Sequence, residues 1–383
     1  MTLIRRGPMT AAAMALGLTI TACGGNFAQD GSGDDSSGTV KLGMLTPLTG
    51  SSAAIGPYMK DGAQLAVDEI NAKGGVNGRK LSLTVEDEAC DPKTAAAGAA
   101  KLVSAGIDIS VGGYCSSATL PTLSIFGKAH IPMLIPAANS ADLVAQKRRN
   151  VFLLNGTGIQ QAEAASKFIK ATGSKGVALM DDNTSYSTDI TKRTEDGLKQ
   201  FDVEVVNHQS VTAGESDYSG AINAVLDSKA DFIYWTGYYQ EGGLLIKQLK
   251  AAGYKGEIMV ADGSVDAKLV KIAGQKNAQG VFATMTQTPQ TIPGGEAWVA
   301  KYKEKFGSEP GPYSTQAYDA VRVAAEAVRK AGSTDGQAVT SALEQIDGLE
   351  IFSGPLKFTA QHTLSAGGFD ILVVRDDNFV LNK

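Results

Sequence analysis

At residues 111–119 the chain reads Val-Gly-Gly-Tyr-Cys-Ser-Ser-Ala-Thr. A short apolar strand at 107–111 runs into the two glycines, and small polar residues then open a predicted helix at 117–128. A strand edge that feeds a helix N-terminus leaves backbone N–H groups unpaired, and such groups attract an anion. The hydroxyl groups of Ser116 and Ser117 add donors, so this stretch predicts an anion-binding strand end.

Strands and helices alternate around this stretch. The predicted strands are 40–45, 81–86, 107–111 and 133–135, and the predicted helices between them are 57–72, 92–105 and 117–128. This order predicts a parallel sheet with helices on both faces. Ligands of such sheets bind beyond the carboxyl ends of the strands, and the loops 46–56, 114–117 and 137–140 are polar, as such a site requires.

The same pattern then restarts and continues to residue 285. Its predicted strands are 151–154, 177–180, 203–206, 232–235, 257–260 and 281–285, with helices between them. Three more helices and two short strands, at 356–358 and 371–374, close the chain. We therefore predict an α/β protein of two lobes with a cleft between them. Lobe 1 is expected to comprise residues 40–157 plus 287–355, and lobe 2 residues 158–286 plus 356–383.

The first residues are typical of an export signal. Two arginines precede an uncharged apolar run at 9–20, which is too short to span a bilayer. Cys23 follows a branched and two small residues, which resembles a bacterial lipobox and implies cleavage after residue 22 and a lipid on the Cys23 thiol. The alternative is an ordinary signal peptide with an incidental cysteine, and the arginine pair leaves twin-arginine export open. Residues 23–39 are rich in glycine, serine and aspartate and predict a flexible tether.

Charge and cysteine content narrow the class of protein. The net charge is −5 and no basic stripe occurs, which argues against a nucleic-acid partner. Apart from Cys23 the chain has two cysteines, Cys90 and Cys115, and an even number in an exported protein favours a disulfide. The bond would close a loop of about 25 residues and contribute roughly 3 kcal/mol. Two buried free thiols are the alternative.

No catalytic motif stands out. His130, His208 and His362 lie far apart, and the sequence has no His-Glu-x-x-His, Gly-x-Ser-x-Gly or phosphate-loop motif. The Gly156-Thr157-Gly158 segment lacks the third glycine of a dinucleotide fingerprint and is interpreted as a hinge turn. We expect no enzyme activity, no metal and no cofactor.

Several motifs together identify a family. They are Gly-Met-Leu-Thr-Pro-Leu-Thr-Gly at 43–50, Asp-Glu-Ile-Asn-Ala-Lys-Gly-Gly-Val-Asn-Gly at 68–78, Asp-Glu-Ala-Cys-Asp-Pro at 87–92, Gly-Tyr-Cys-Ser-Ser at 113–117 and Pro-Ala-Ala at 136–138. They resemble the leucine/isoleucine/valine-binding proteins that feed ABC importers, from residue 40 nearly to the C-terminus. The resemblance implies the two-lobed type I periplasmic-binding-protein fold and an amino acid captured by hinge closure. It also implies an ABC permease as partner, membrane contact through a lipid anchor only, and a monomer.

The resemblance also implies the ligand contacts of lobe 1. Ser116 would donate to the ligand carboxylate, beside Tyr114 and Cys115. Ala137 would offer its carbonyl group to the ligand ammonium. Asn139 replaces the family's threonine, and its amide can still donate to a carboxylate.

In lobe 2 the resemblance implies ligand contacts by Tyr186, Tyr238 and Asp262. Asp262 replaces the family's glutamate and would hold the ammonium. Ile55 of the first loop replaces a tyrosine that packs on the ligand side chain, which leaves the identity of the ligand open.

Simpler roles are open for each of these residues. Tyr186 and Tyr238 can be surface or core aromatics, Ser116 can cap a helix, and Asp262 can be a turn residue. As a loop residue, Asp262 is expected to lie outside the core. Other acids for the ammonium are Asp181, Asp182 and Glu241. The alternative function is a sensor, or a binder of an amide, urea or a small aromatic acid.

Overall fold

The computed structural model describes residues 38–383. The predicted signal peptide, the lipid site at Cys23 and most of the tether lie outside this range. Within it, no helix combines the length and apolar character needed to cross a membrane.

The first part of the described chain follows the predicted order. Its elements are β1 (Val40–Thr46), α1 (Ile55–Ala72), β2 (Leu81–Asp87), α2 (Pro92–Ser104), β3 (Ile109–Ser110), α3 (Ser116–Lys128), β4 (Met133–Ile135), α4 (Asp142–Ala145) and β5 (Val151–Leu153). The strands form one parallel sheet in the order β2-β1-β3-β4-β5.

The second part repeats the arrangement. Its elements are α5 (Gly158–Thr172), β6 (Gly176–Asp181), α6 (Ser185–Gln200), β7 (Glu204–Ser210), α7 (Ser219–Asp227), β8 (Phe232–Trp235), α8 (Tyr239–Ala251), β9 (Glu257–Val260), a 3-10 turn (Asp262–Ser264), α9 (Ala267–Ala273), α10 (Gln275–Ala278) and β10 (Phe282–Met285).

The last part returns to both sheets. Its elements are α11 (Glu296–Phe306), α12 (Ser314–Ala331), α13 (Gly336–Glu344), β11 (Asp347–Ile351), β12 (Gly354–Lys357), β13 (Asp370–Arg375) and β14 (Asn378–Leu381). Helix α12 packs against α1, which lies beside the first sheet. Strands β13 and β14 extend the second sheet, whose order is β14-β13-β10-β9-β8-β6-β7. Within residues 38–383, strands β11 and β12 pair only with each other.

The predicted two-lobed α/β fold is confirmed, with one difference in pairing. Strands β6 to β10 are parallel, but β13 is antiparallel to β10 and to β14. The turn at Asp376 and Asp377, two residues with positive φ, joins β13 to β14 as a hairpin. A hairpin can join only antiparallel strands, so this edge of the sheet cannot be parallel.

The glycines at positions 112 and 113 allow the chain after β3 to lie close against β1. A Cβ atom at Gly112 would lie 2.4 Å from the backbone nitrogen of Leu45 in β1, and Gly113 has φ +115°. Any other residue at position 112 would push β1 away, and Gly113 adopts a conformation that favours glycine. The chain can therefore turn from β3 into α3 directly beside the end of β1.

Candidate functional site

A disulfide and a buried carboxyl group hold the turn between β3 and α3. Cys90 and Cys115 are bonded, with their Cα atoms 5.2 Å apart. The Glu88 carboxyl accepts hydrogen bonds from the backbone N–H groups of Cys115 at 2.9 Å and Tyr114 at 3.2 Å. The acceptor for these two N–H groups at the strand end is thus a side chain of the protein itself. Burial raises the pKa of Glu88 to about 7, because the charged form loses its hydration.

Four tyrosines converge from both sheets and form what we call the tyrosine cluster: Tyr114, Tyr186, Tyr238 and Tyr313. The ring of Tyr114 lies 5.8 Å from that of Tyr238 and 5.5 Å from that of Tyr313, and the rings of Tyr186 and Tyr238 are 5.2 Å apart. All four side chains are buried, which raises their pKa values well above the ordinary value. They remain neutral hydrogen-bonding groups at physiological pH.

Asp262 lies at the centre of this cluster. Its Oδ1 accepts hydrogen bonds from the Tyr186 hydroxyl at 2.5 Å, the Gln161 amide at 2.8 Å and the Gly263 N–H at 3.1 Å. Its Oδ2 accepts from the Tyr313 hydroxyl at 2.8 Å. Burial raises the pKa of Asp262, and the four donors offset part of that rise. The cleft therefore contains a desolvated carboxyl group that is well supplied with donors.

The expectation that Asp262 lies outside the core is wrong. Its exposed fraction is 2%, and it opens the 3-10 turn after β9, so it is both a turn residue and a buried one. A loop at the end of a parallel strand becomes buried when the other lobe covers it. Replacement of Asp262 by alanine would leave three side-chain donors without their acceptor.

Ser116, Ala137 and Asn139 lie at neighbouring strand ends of the first sheet and are buried. The Ser116 hydroxyl accepts the Ser140 N–H at 3.2 Å and does not cap α3, whose N-cap residue is Cys115. The Ala137 carbonyl accepts a hydrogen bond from Asn155 at 2.7 Å and retains a second lone pair.

The Asn139 amide is oriented differently from the expectation. Its Nδ2 donates to the Gln161 side chain at 3.1 Å, and its Oδ1 is buried without a partner among the described residues. Asn139 therefore has a buried acceptor that is free of described partners, whereas the resemblance implies a donor at this position.

Ile55 begins α1, and its side chain is buried. The other candidate acids are bonded elsewhere. Asp181 contacts His208 at 2.5 Å, and Glu241 accepts the Gly214 N–H at 3.0 Å. Asp182 accepts from Thr184 through Oδ1, whereas its Oδ2 is buried without a partner among the described residues. Of the acids considered in the sequence analysis, Asp262 is the one that joins the tyrosine cluster.

Sequence reasoning missed Tyr313, Gln161 and the role of Glu88. Tyr313 follows Gly311 and Pro312, directly before α12, and has φ +63°, which is uncommon for an aromatic residue. A tyrosine between a Gly-Pro turn and a helix is a usable signal for such a position. Gln161 has no local signal, since its partners are distant in sequence.

Comparison with known proteins decides the family. A family model described as Periplasmic binding protein matches residues 39–376. The chain belongs to the periplasmic-binding-protein family. The leucine-, isoleucine-, valine-, threonine- and alanine-binding protein of Pseudomonas aeruginosa is 31% identical over 336 residues, 88% of this chain and 89% of the relative. The leucine-specific-binding protein of Salmonella typhimurium is 32% identical over 333 residues, 87% of this chain and 90% of the relative.

Solved structures agree. A leucine-binding protein of Thermotoga maritima has a TM-score of 0.84 at 24% identity and covers 90% of this chain and 98% of its own. The branched-chain amino acid transporter substrate-binding protein of Streptococcus pneumoniae, solved with isoleucine, has a TM-score of 0.82 at 26% identity, with 90% and 100% covered. The resemblance predicted from the motifs is confirmed. Membership places this periplasmic binding protein outside the cytoplasm, and the relatives are named as binding proteins.

Proposed function

We propose that this periplasmic binding protein captures an amino acid with a branched side chain, leucine, isoleucine or valine, and delivers it to an ABC importer. The observation that carries the proposal is the buried Asp262 carboxyl, which lies between the sheets among four donors and the tyrosine cluster. An ammonium enclosed there needs an anionic partner, because a buried unpaired charge costs several kcal/mol. The names of the relatives support the choice of ligand.

In this proposal each site residue has a role. Ser116 donates to the ligand carboxylate at the N-terminus of α3, where the helix dipole also favours a negative charge. Ala137 and Asp262 accept from the ammonium. The side chain of the ligand packs against Ile55 and the tyrosine cluster, with Tyr114 and Cys115 forming the floor beside them.

The lobe boundaries given above, 40–157 plus 287–355 and 158–286 plus 356–383, belong to the same proposal. The ligand's contacts with both lobes would select the closed state, which the permease recognises. We further propose that the protein is a monomer without enzyme activity, and that a lipid on Cys23 after removal of residues 1–22 anchors it through the tether 23–39.

Isothermal titration calorimetry of the purified protein tests the ligand. The panel comprises the common amino acids and, for the alternative function, urea, acetamide and benzoate. Asp262 favours an amine over these three, because none of them carries a permanent positive charge. We expect tightest binding by leucine, isoleucine or valine. Binding of a neutral amide or benzoate in preference to every amino acid would contradict the proposal.

A further inference from the structure

Gln161 connects the two halves of the site. It lies in the first turn of α5, directly after the crossing from β5, and its side chain is fully buried. Its Nε2 donates to Asp262 at 2.8 Å and to the Thr284 hydroxyl at 3.0 Å, and its Oε1 accepts from Asn139 at 3.1 Å. One side chain thus bonds the strand end of β4, in the first sheet, to the acid that follows β9, in the second.

The chemistry of these groups fixes the direction of each hydrogen bond. An ionised carboxyl only accepts, so Gln161 must turn its NH₂ group toward Asp262, and Thr284 takes the second hydrogen. The Gln161 oxygen is then left to accept, and Asn139 must turn its own NH₂ group toward it. The Asn139 oxygen points away from Gln161 as a consequence. It is buried and has no partner among the residues that the structure describes.

Most of the lone pairs of the Asp262 carboxylate already accept a hydrogen bond from the protein. A carboxylate offers about four lone-pair sites, and Oδ1 already has three donors while Oδ2 has one. Asp262 can therefore take about one N–H group of an ammonium, through Oδ2. A primary ammonium carries three N–H groups, so the remaining two need other acceptors.

We propose that Gln161 is a positioning residue that sets the specificity of the site for primary amines. By fixing the Asn139 amide, it presents the Asn139 oxygen as an acceptor for a second N–H group of the ligand. This inference rests on the proposed amino-acid function. It concerns a residue that need not touch the ligand and an asparagine that the family motif does not contain.

A double-mutant cycle tests the inference, with L-leucine as the probe and calorimetry as the readout. Gln161→Met keeps the volume and removes both polar ends, and Asn139→Leu removes the acceptor itself. We expect each single variant to weaken leucine binding about tenfold or more, the range for a hydrogen bond to a charged group. Since Gln161 fixes the acceptor through Asn139, the loss of leucine affinity in the double variant should be clearly smaller than the sum of the two single losses.

A second ligand separates positioning from a structural effect. (S)-2-hydroxy-4-methylpentanoate has one O–H group in place of the three N–H groups, and Asp262 alone can accept it. Its affinity, measured by competition, should fall clearly less than that of leucine in Gln161→Met, because both ligands lose the Gln161 donor to Asp262 but leucine alone also loses the second acceptor. A general loosening of the site would weaken both ligands equally.

The control is Gln160→Met. Gln160 closes the capping box of α5 by accepting the Thr157 N–H at 2.9 Å, so this variant should lower the unfolding temperature and leave leucine affinity unchanged. Fully additive losses in the cycle, equal losses for both ligands, or unchanged leucine binding by Gln161→Met would overturn the inference alone. A parent protein that binds no leucine would overturn the proposed ligand, and the inference with it.

Discussion

Glu88→Gln should change how the stability of the ligand-free protein depends on pH. Glu88 is fully buried beneath the turn between β3 and α3, and its pKa in the folded protein is raised to about 7 from 4.5. Glutamine keeps the shape and, with its oxygen at the Oε1 position, retains the hydrogen bonds from Tyr114 and Cys115. The substitution therefore removes the ionisation and little else.

The sign and size follow from proton linkage. Between pH 4.5 and 7 the folded protein holds a proton on Glu88 that the unfolded chain has released, so stability falls as pH rises through this range. Below it both states are protonated, and above it the full penalty applies. A pKa difference of about 2.5 units corresponds to roughly 3 kcal/mol at 1.36 kcal/mol per unit. Glutamine carries no such penalty at any pH.

The assay is urea unfolding from pH 5 to pH 8, followed by both tryptophan fluorescence and circular dichroism. The stability of Glu88→Gln relative to the parent should rise by about 2–3 kcal/mol over this interval. The exposed Glu304, on α11, provides the control, and Glu304→Gln should show no such trend. Other buried acids such as Asp319, whose pKa burial raises to about 6, contribute equally to parent and variant. A difference that stays constant with pH would refute the reasoning.

Two further predictions concern the cluster and the disulfide. Tyr186→Phe removes the 2.5 Å hydrogen bond to Asp262, so calorimetry should show leucine binding weakened roughly tenfold. Tyr238→Phe removes a buried hydroxyl without a described partner, so thermal unfolding should show no loss of stability. Unchanged leucine affinity in Tyr186→Phe, or a lower unfolding temperature in Tyr238→Phe, would contradict this description of the site. Replacing Cys90 and Cys115 together by alanine opens a loop of 25 residues and should cost roughly 3 kcal/mol in urea unfolding, and an unchanged midpoint would contradict that estimate.

The sequence predicted the fold well because its signals are local. Alternating apolar runs and turn residues locate β4, β8 and β9 with the bounds that the structure has. The hairpin of β13 and β14 was missed, because an Asp-Asp turn marks a reversal of the chain but not the sheet that receives it. Short elements such as α4 have too few residues for a periodic pattern.

The site was predictable only where a motif carries it. Tyr114, Tyr186, Tyr238 and Asp262 follow predicted strands, and the structure brings them together. Gln161 is 101 residues from Asp262, and Tyr313 is 51 residues from it, so only the folded chain reveals these contacts. The direction of the Asn139 amide likewise depends on a network of side chains, which no single residue type specifies.

The most direct test of the account is the affinity of Asp262→Asn for L-leucine, measured by calorimetry beside the parent protein. Asparagine keeps the size of the side chain and loses the charge, and circular dichroism of the ligand-free variant establishes that it is folded. If Asp262 is the partner of the ligand ammonium, the parent binds leucine and the variant binds it more weakly by roughly 2–5 kcal/mol. Equal affinity of a folded variant and the parent would contradict the central claim.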